Sequence, residues 1–143
     1  MISIRKATAA DADIVFDILC RLEEKTLDRP AFVNGFAFNL AGTQNHYLLA
    51  EVGNNVVGFI SCQGQFLLHH TNWVYEIQEL YVDDAYRGHG VGKQLLQAIE
   101  EILNKESYDV IEVSSNVRRR RAHGFYLQNG FEQTHLKFVK KKV

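Results

Sequence analysis

Arg87-Gly88-His89-Gly90-Val91-Gly92-Lys93 lies between a strand pattern and a helix pattern, and its placement decides how the chain is read. Upstream, a long strand runs from about Trp73 to Val82 and ends where Asp83-Asp84 begins a turn. Downstream, Val91, Leu95, Ala98, Ile99 and Ile102 recur at helical spacing from near Gly90. The glycines remove Cβ atoms where backbone must approach a partner closely, and they stand at a helix start, whose unpaired N–H groups and dipole favour an anion. A phosphate or pyrophosphate is the natural guest. The run is not a Walker loop, because Gly92-Lys93 is followed by Gln94 and the upstream spacing is too short, and it is not G-x-G-x-x-G.

Strand and helix periods alternate outward from this loop in both directions, which predicts an α/β or α+β sheet with helices packed on it. Ile2 to Lys6 reads as a first strand. Thr8 and Asp11 resemble a capping box, and the helix after it would bury Ile14, Val15, Ile18, Leu19 and Leu22. Pro30 suits the first turn of a second helix that passes Phe32, Phe36 and Leu40 to stop at Gly42. His46 to Val52 and Val56 to Cys62 flank Gly53-Asn54-Asn55 as a β-hairpin, and Gln63 to Asn72 is expected to be less regular. After the glycine-led helix come a buried strand, Asp109 to Ser114, a helix from about Val117 to Gln128 closing on Asn129-Gly130, and a final strand, Phe131 to Val139.

The 143 residues form a single expected domain, with 46% apolar and 23% charged residues, one Pro and ten Gly. That is a globular profile. A net charge of −1 argues against nucleic acid or a membrane surface as partner, although Arg118 to Arg121 and Lys140 to Lys142 are locally basic. Cys20 and Cys62 have neither disulfide-framework nor zinc-site spacing. The N-terminus reads as neither signal peptide nor anchor, so a cytoplasmic protein is expected.

The run Gln78-Glu79-Leu80-Tyr81-Val82 followed by Arg87-Gly88-His89-Gly90-Val91-Gly92 resembles the coenzyme A motif R/Q-x-x-G-x-G/A of the GCN5-related (GNAT) N-acetyltransferases, and the order of elements fits that fold across essentially the whole chain. The resemblance implies a mixed, mostly antiparallel sheet of about six strands with helices on both faces, and acetyl-CoA as cosubstrate. It also implies that Leu80 and Val82, with Tyr81 between them, meet the pantetheine arm. Arg87, Gly88, His89, Gly90, Val91, Gly92 and Lys93 would surround the pyrophosphate. Asn116 matches a position that often contacts coenzyme A and also reads as a helix N-cap. Three further segments, Asp28 to Phe36, Gln65 to Leu80 and Ala122 to His135, are similar to the bacterial aminoalkylphosphonate N-acetyltransferases. That likeness implies a small amine bearing a phosphonate as acceptor, and a divalent metal associated with activity. The four-arginine run departs from that group, and a homodimer is an expectation from the family alone.

Acetyl transfer from a thioester to an amine needs a base for the amine, stabilisation of an oxyanion and a proton for the departing thiolate. Glu76 and Glu79 on the long strand are both candidates for the base. Their odd offset puts them on opposite faces of a regular strand, although a bulge would change that parity. Tyr126, in Phe125-Tyr126 before Gln128-Asn129-Gly130-Phe131, resembles the family motif that places a general acid beside the coenzyme A sulfur. Arg118 to Arg121 crowd a helix N-terminus and call for an anion or neighbouring carboxylates. His69-His70 with Trp73 form a polar and aromatic wall or a weak metal candidate. The alternatives to a phosphonate-directed enzyme are a GNAT acting on a polyamine, amino acid, aminoglycoside or protein N-terminus, and a regulatory module that binds acetyl-CoA without turnover.

Overall fold

The computed structural model describes residues 1–143. β1 is Ile2–Lys6, followed by α1, Ala12–Glu23, and α2, Arg29–Ala41. β2, Asn45–Val52, β3, Asn55–Leu67, and β4, Asn72–Val82, form an antiparallel meander. α3, Val91–Leu103, then leads to β5, Val110–Val113, and to α4, Arg120–Gln128. The sheet has five strands in the order β1-β2-β3-β4-β5. Only the β4–β5 pair is parallel, as expected when a helix connects two neighbouring strands.

The local signals act as their chemistry requires. The Asp28 side chain caps α2 by accepting from the Ala31 N–H at 2.9 Å, with Pro30 in the first turn. The Asp11 carboxylate receives the Thr8 N–H at 2.7 Å and a two-pronged contact from the Arg5 guanidinium at 2.8 and 2.9 Å. That guanidinium holds the Asp11 carboxyl down at about 2. On one side of the sheet, Val91, Leu95, Leu96, Ile99 and Leu103 of α3 pack on Leu48, Ile60, Tyr75 and Ile77. On the other, Val15 and Ile18 of α1 and Phe36 of α2 cover Leu49 and Phe59. Each large apolar side chain so buried contributes about 1.5–3 kcal/mol.

Five expectations change. The strand expected to be buried at Asp109 to Ser114 is β5, Val110–Val113, an edge strand with Val110 and Glu112 exposed. The sheet has five strands and not about six, because residues 131–143 form no strand. Phe131 packs against the core, but beyond it only Leu136, Phe138 and Val139 are large apolar groups before the lysine run, so the rest of this segment has little to bury against its own chain. The stretch from Gln63 is regular, since β3 continues to Leu67 and pairs with β4 down to Leu67↔Asn72, leaving His69 and His70 in the connecting turn. In α1 the buried residues are Val15, Phe16 and Ile18, whereas Ile14 is exposed. The last helix begins at Arg120 and not near Val117. Asn116 Oδ1 instead accepts from the Arg118 N–H at 2.9 Å, a local turn that competes with the helix start. Four cations at that end oppose the dipole and favour the later start.

Candidate functional site

β4 carries the centre of the site because its two edges behave differently. Against β3 it pairs along its whole length, but against β5 the register stops at Ile77↔Val113. From Gln78 to Val82 that edge has no strand beside it, so its amides and carbonyls face an open fork. The pairing with β3 also slips by one residue, from Cys62↔Ile77 to Ser61↔Glu79, leaving Gln78 as the extra residue of a bulge. Tyr75 and Ile77 before the bulge, and Leu80 and Val82 after it, therefore all pack on the α3 side. Glu76 and Glu79 consequently share the opposite face, the parity change that a bulge brings.

The two glutamates differ in surroundings. Glu79 receives the hydroxyl of Ser61, which is fully buried, while its own N–H donates to Ser61 Oγ at 3.0 Å. Burial pushes the Glu79 carboxyl above the usual carboxylate range, and the Ser61 hydrogen bond opposes that rise. Glu76 accepts from Gln78 Nε2 at 3.0 Å and from Ser114 Oγ at 3.4 Å, and stands beside Glu112 of β5. Glu79 also lines a cleft of about 210 Å³ under α1 and α2, whose other walls include Phe32, Phe36, Asn39, Tyr47 and Phe59. Tyr47 Oη accepts from Asn39 Nδ2 at 2.8 Å there. A larger open groove of about 610 Å³ lies between β1 and α3, lined in part by Arg5, Gln94 and Glu101, and contains none of the acid, base or loop residues.

At the end of β4, Asp83 to Tyr86 form a tight turn, and Gly88 and Gly90 follow at φ +80 and +81. An added Cβ would meet nothing within 4 Å at either position, so conformation and not crowding demands glycine there. Gly92 is different: a Cβ would lie 3.2 Å from the Phe125 ring of α4, so this glycine lets two helices approach. Gly90 begins α3 without a side-chain cap, and the first amide of this turn with a backbone acceptor is Gln94, bonded to Gly90 O at 3.0 Å. The N–H groups of Val91, Gly92 and Lys93 are thus left for an anion. Lys93 and His89 are exposed beside them, and Arg87 is paired with Asp84 at 3.0 Å.

Tyr126 is half-buried between the rings of Phe125 and Phe131, both centred 5.4 Å away. Its hydroxyl has no hydrogen bond within the protein, and burial raises its pKa, so the phenol stays protonated at neutral pH. Arg119 reaches the C-terminal end of α1, donating to Glu23 Oε2 at 3.2 Å and to Leu22 O at 3.4 Å. Arg118, Arg120 and Arg121 are exposed and make no ion pair. His70 Nδ1 meets Asp109 Oδ2 at 2.6 Å, and no third His, Cys, Asp or Glu side chain joins this pair to make a metal-binding group.

The fold therefore brings Glu79, the fork edge of Leu80 to Val82 and the glycine turn onto one strand and its continuation. Asn116 engages its own turn, with His123 Nε2 2.8 Å from its carbonyl oxygen. Ser61, Tyr47 and Asn39 went unnoticed in the sequence. Ser61 carried a signal, a polar residue two after Phe59 on the face of β3 that should be apolar.

The model of the acetyltransferase (GNAT) family matches residues 12–131. The chain is 45% identical over 137 residues, 96% of its length and 89% of the relative's, to an aminoalkylphosphonate N-acetyltransferase of Salmonella typhimurium. Its fold matches a transcriptional regulator of Bacillus halodurans at TM-score 0.89 and 23% identity, covering 99% of this chain and 100% of that one. It also matches the aminoglycoside acetyltransferase AAC(6')-Iy, solved with a coenzyme A bisubstrate analogue, at TM-score 0.87 and 16% identity, covering 100% and 99%.

Proposed function

The chain belongs to the GNAT acetyltransferase family, and from that premise we propose that it moves the acetyl group of acetyl-CoA onto the primary amine of a small aminoalkylphosphonate. The observation that carries the site assignment is the fork: β4 loses its β5 neighbour at Ile77, beside the half-buried Glu79 carboxyl and upstream of a helix start with free amides.

The pantetheine arm lies along the open edge from Gln78 to Val82 as an extra strand, and the pyrophosphate rests on the amides of Val91, Gly92 and Lys93, with the Lys93 ammonium as a nearby cation and the His89 ring as a further polar neighbour. Acetyl-CoA supplies the activated thioester. Glu79 takes the proton that the attacking ammonium must lose, directly or through water, and its raised pKa brings it nearer the pH at which a base is effective. Amides of the open edge are available to the carbonyl oxygen as it gains charge. The Tyr126 hydroxyl, free of any protein partner, gives its proton to the thiolate as the carbon–sulfur bond breaks, and solvent restores it.

The acceptor occupies the cleft under α1 and α2. Its volume of about 210 Å³ falls below the roughly 300–1,000 Å³ typical of drug-sized ligands, which favours a short amine over an aminoglycoside. Arg120 and Arg121 in the first turn of α4, and Arg118 just before it, are cations without an ion pair that are available to a phosphonate, and Arg119 between them ties this end of the helix to the end of α1. The relative named for aminoalkylphosphonates supports the same choice. A charge-assisted contact of about 1.5–3 kcal/mol makes kcat/KM for 2-aminoethylphosphonate roughly ten- to hundredfold above that for ethylamine. If spermidine or an aminoglycoside exceeds the phosphonate by about tenfold, the acceptor assignment is wrong and the acetyltransferase assignment survives.

A further inference from the structure

Arg119 stands immediately before Arg120, at the N-terminal end of α4, where the helix dipole disfavours a cation. Its side chain leaves that end. The guanidinium donates to Leu22 O at 3.4 Å and to Glu23 Oε2 at 3.2 Å, both in the last turn of α1. There the same charge is favoured, because the last carbonyls of a helix lack intrahelical partners and carry partial negative charge, to which the Glu23 carboxylate adds its own.

The two helices belong to opposite faces of the sheet. Through Val15 and Ile18, α1 covers Leu49 and Phe59. Its last turn stands over the end of β4, where the Tyr81 side chain, with Asp17 and Asp83 nearby, raises the pKa of Arg21. α4 is anchored from the α3 side, where Phe125 packs on the core and a Cβ at Gly92 would meet its ring at 3.2 Å. Because α4 follows β5, and β5 leaves β4 after Ile77↔Val113, the contact from Arg119 to Glu23 joins the two banks of the fork. Each end of the pair acts on one of the reacting groups. Burial raises the pKa of Glu79 and the Glu23 charge raises it further, whereas the Arg119 charge opposes the rise that burial imposes on Tyr126.

We propose that Glu23 and Arg119 are positioning residues of the acetyl transfer: their bridge spans the mouth of the fork, closes it over the pantetheine arm of bound acetyl-CoA and holds Tyr126 of α4 opposite Glu79 of β4. The inference rests on the acetyltransferase reading and not on the identity of the acceptor. The exposure of the pair suits this task. With side chains 46% and 47% exposed, the bridge adds little to the stability of the fold, so it opens and recloses for the cosubstrate without unfolding either helix. A direct contact from Arg119 to a phosphate of coenzyme A would have the opposite signature. Glu23 would then compete for the guanidinium, and removing its charge would tighten binding.

Calorimetry with acetyl-CoA, and kcat measured at saturating acetyl-CoA, test the bridge in the full chain. Arg119→Gln and Glu23→Gln should each weaken acetyl-CoA binding by about three- to tenfold and lower kcat by a similar factor, with circular dichroism unchanged. Glu23→Gln should be the milder, because Arg119 keeps its bond to Leu22 O. The charge swap Glu23→Arg, Arg119→Glu puts each charge at the helix end whose dipole suits it and should return affinity and kcat to within about twofold of the wild type. Tighter binding in Glu23→Gln would make Arg119 a phosphate ligand and overturn the proposal. Single variants that match the wild type, or a swap no better than the singles, would overturn it too and leave the acetyltransferase reading in place. A wild type that binds no acetyl-CoA would overturn both.

Discussion

Replacing Ser61 by Ala removes a hydroxyl that touches no acceptor and no cofactor element, only Glu79. Two hydrogen bonds disappear: the donation to the carboxylate and the acceptance of the Glu79 N–H at 3.0 Å. The first opposes the rise that burial imposes on Glu79, so its loss lets the carboxyl pKa climb further. A hydrogen bond to a charged group contributes about 1.5–3 kcal/mol, which corresponds to at least a tenfold smaller ionised fraction at a fixed pH below the titration. In Ser61→Ala the acidic limb of the kcat/KM profile should therefore move to higher pH, with activity on that limb lower by about tenfold or more and the alkaline plateau within about twofold. The amine's own ionisation is common to both enzymes and cancels in the comparison. The orphaned Glu79 amide should cost about 1–2 kcal/mol of stability, visible in urea melts. A profile that keeps its limb while the melt shifts would make Ser61 a packing residue and remove Glu79 as base.

Tyr126→Phe should lower kcat by about a hundredfold or more with acetyl-CoA affinity within about twofold, read by single-turnover kinetics and calorimetry, since the lost proton matters only as the thiolate leaves. Gly90→Val places a β-branched side chain at φ +81 and should weaken acetyl-CoA binding while lowering stability by about 1–2 kcal/mol. Gly92→Val meets Phe125 at 3.2 Å and should displace α4, lowering kcat together with affinity, as kinetics and calorimetry on the folded variant would record. Asp11, held at about 2 below its ordinary 3.8, is favoured in its ionised form by the fold. It should add stability above about pH 4 that is lost as the pH falls toward 2. With Arg5 38% exposed, solvent screening discounts this to about 1–2 kcal/mol, the loss expected for Asp11→Asn at neutral pH in urea titrations.

Much of the fold was legible because short-range chemistry wrote it. Asp28 with Pro30, Thr8 with Asp11, and the glycines before Val91 each fix a chain direction within a few residues. The α3 stripe could be read because both its spacing and its burial are regular. The site was legible only in part. Glu76 and Glu79 could be found as carboxylates on one strand, but their common face depends on a bulge at Gln78 that the register with β3 creates. Ser61 and Tyr47 come from other strands, and only pairing at a separation of 18 residues brings Ser61 to Glu79. Residues 131–139 mark the opposite case. Their alternation is a strand pattern, but a strand needs a neighbour, and that lies outside what the period of one segment can specify.

Thiol release on mixing the protein, acetyl-CoA and 2-aminoethylphosphonate, with the acetylated amine quantified in the same samples, tests the central claim most directly. One equivalent of N-acetyl product per thiol, lost in Tyr126→Phe and reduced on the acidic side in Ser61→Ala, is the expected result. Stoichiometric acetyl-CoA binding with no thiol released above the protein-free rate, for the phosphonate and for every other amine offered, would contradict it and leave a binding module in place of an enzyme.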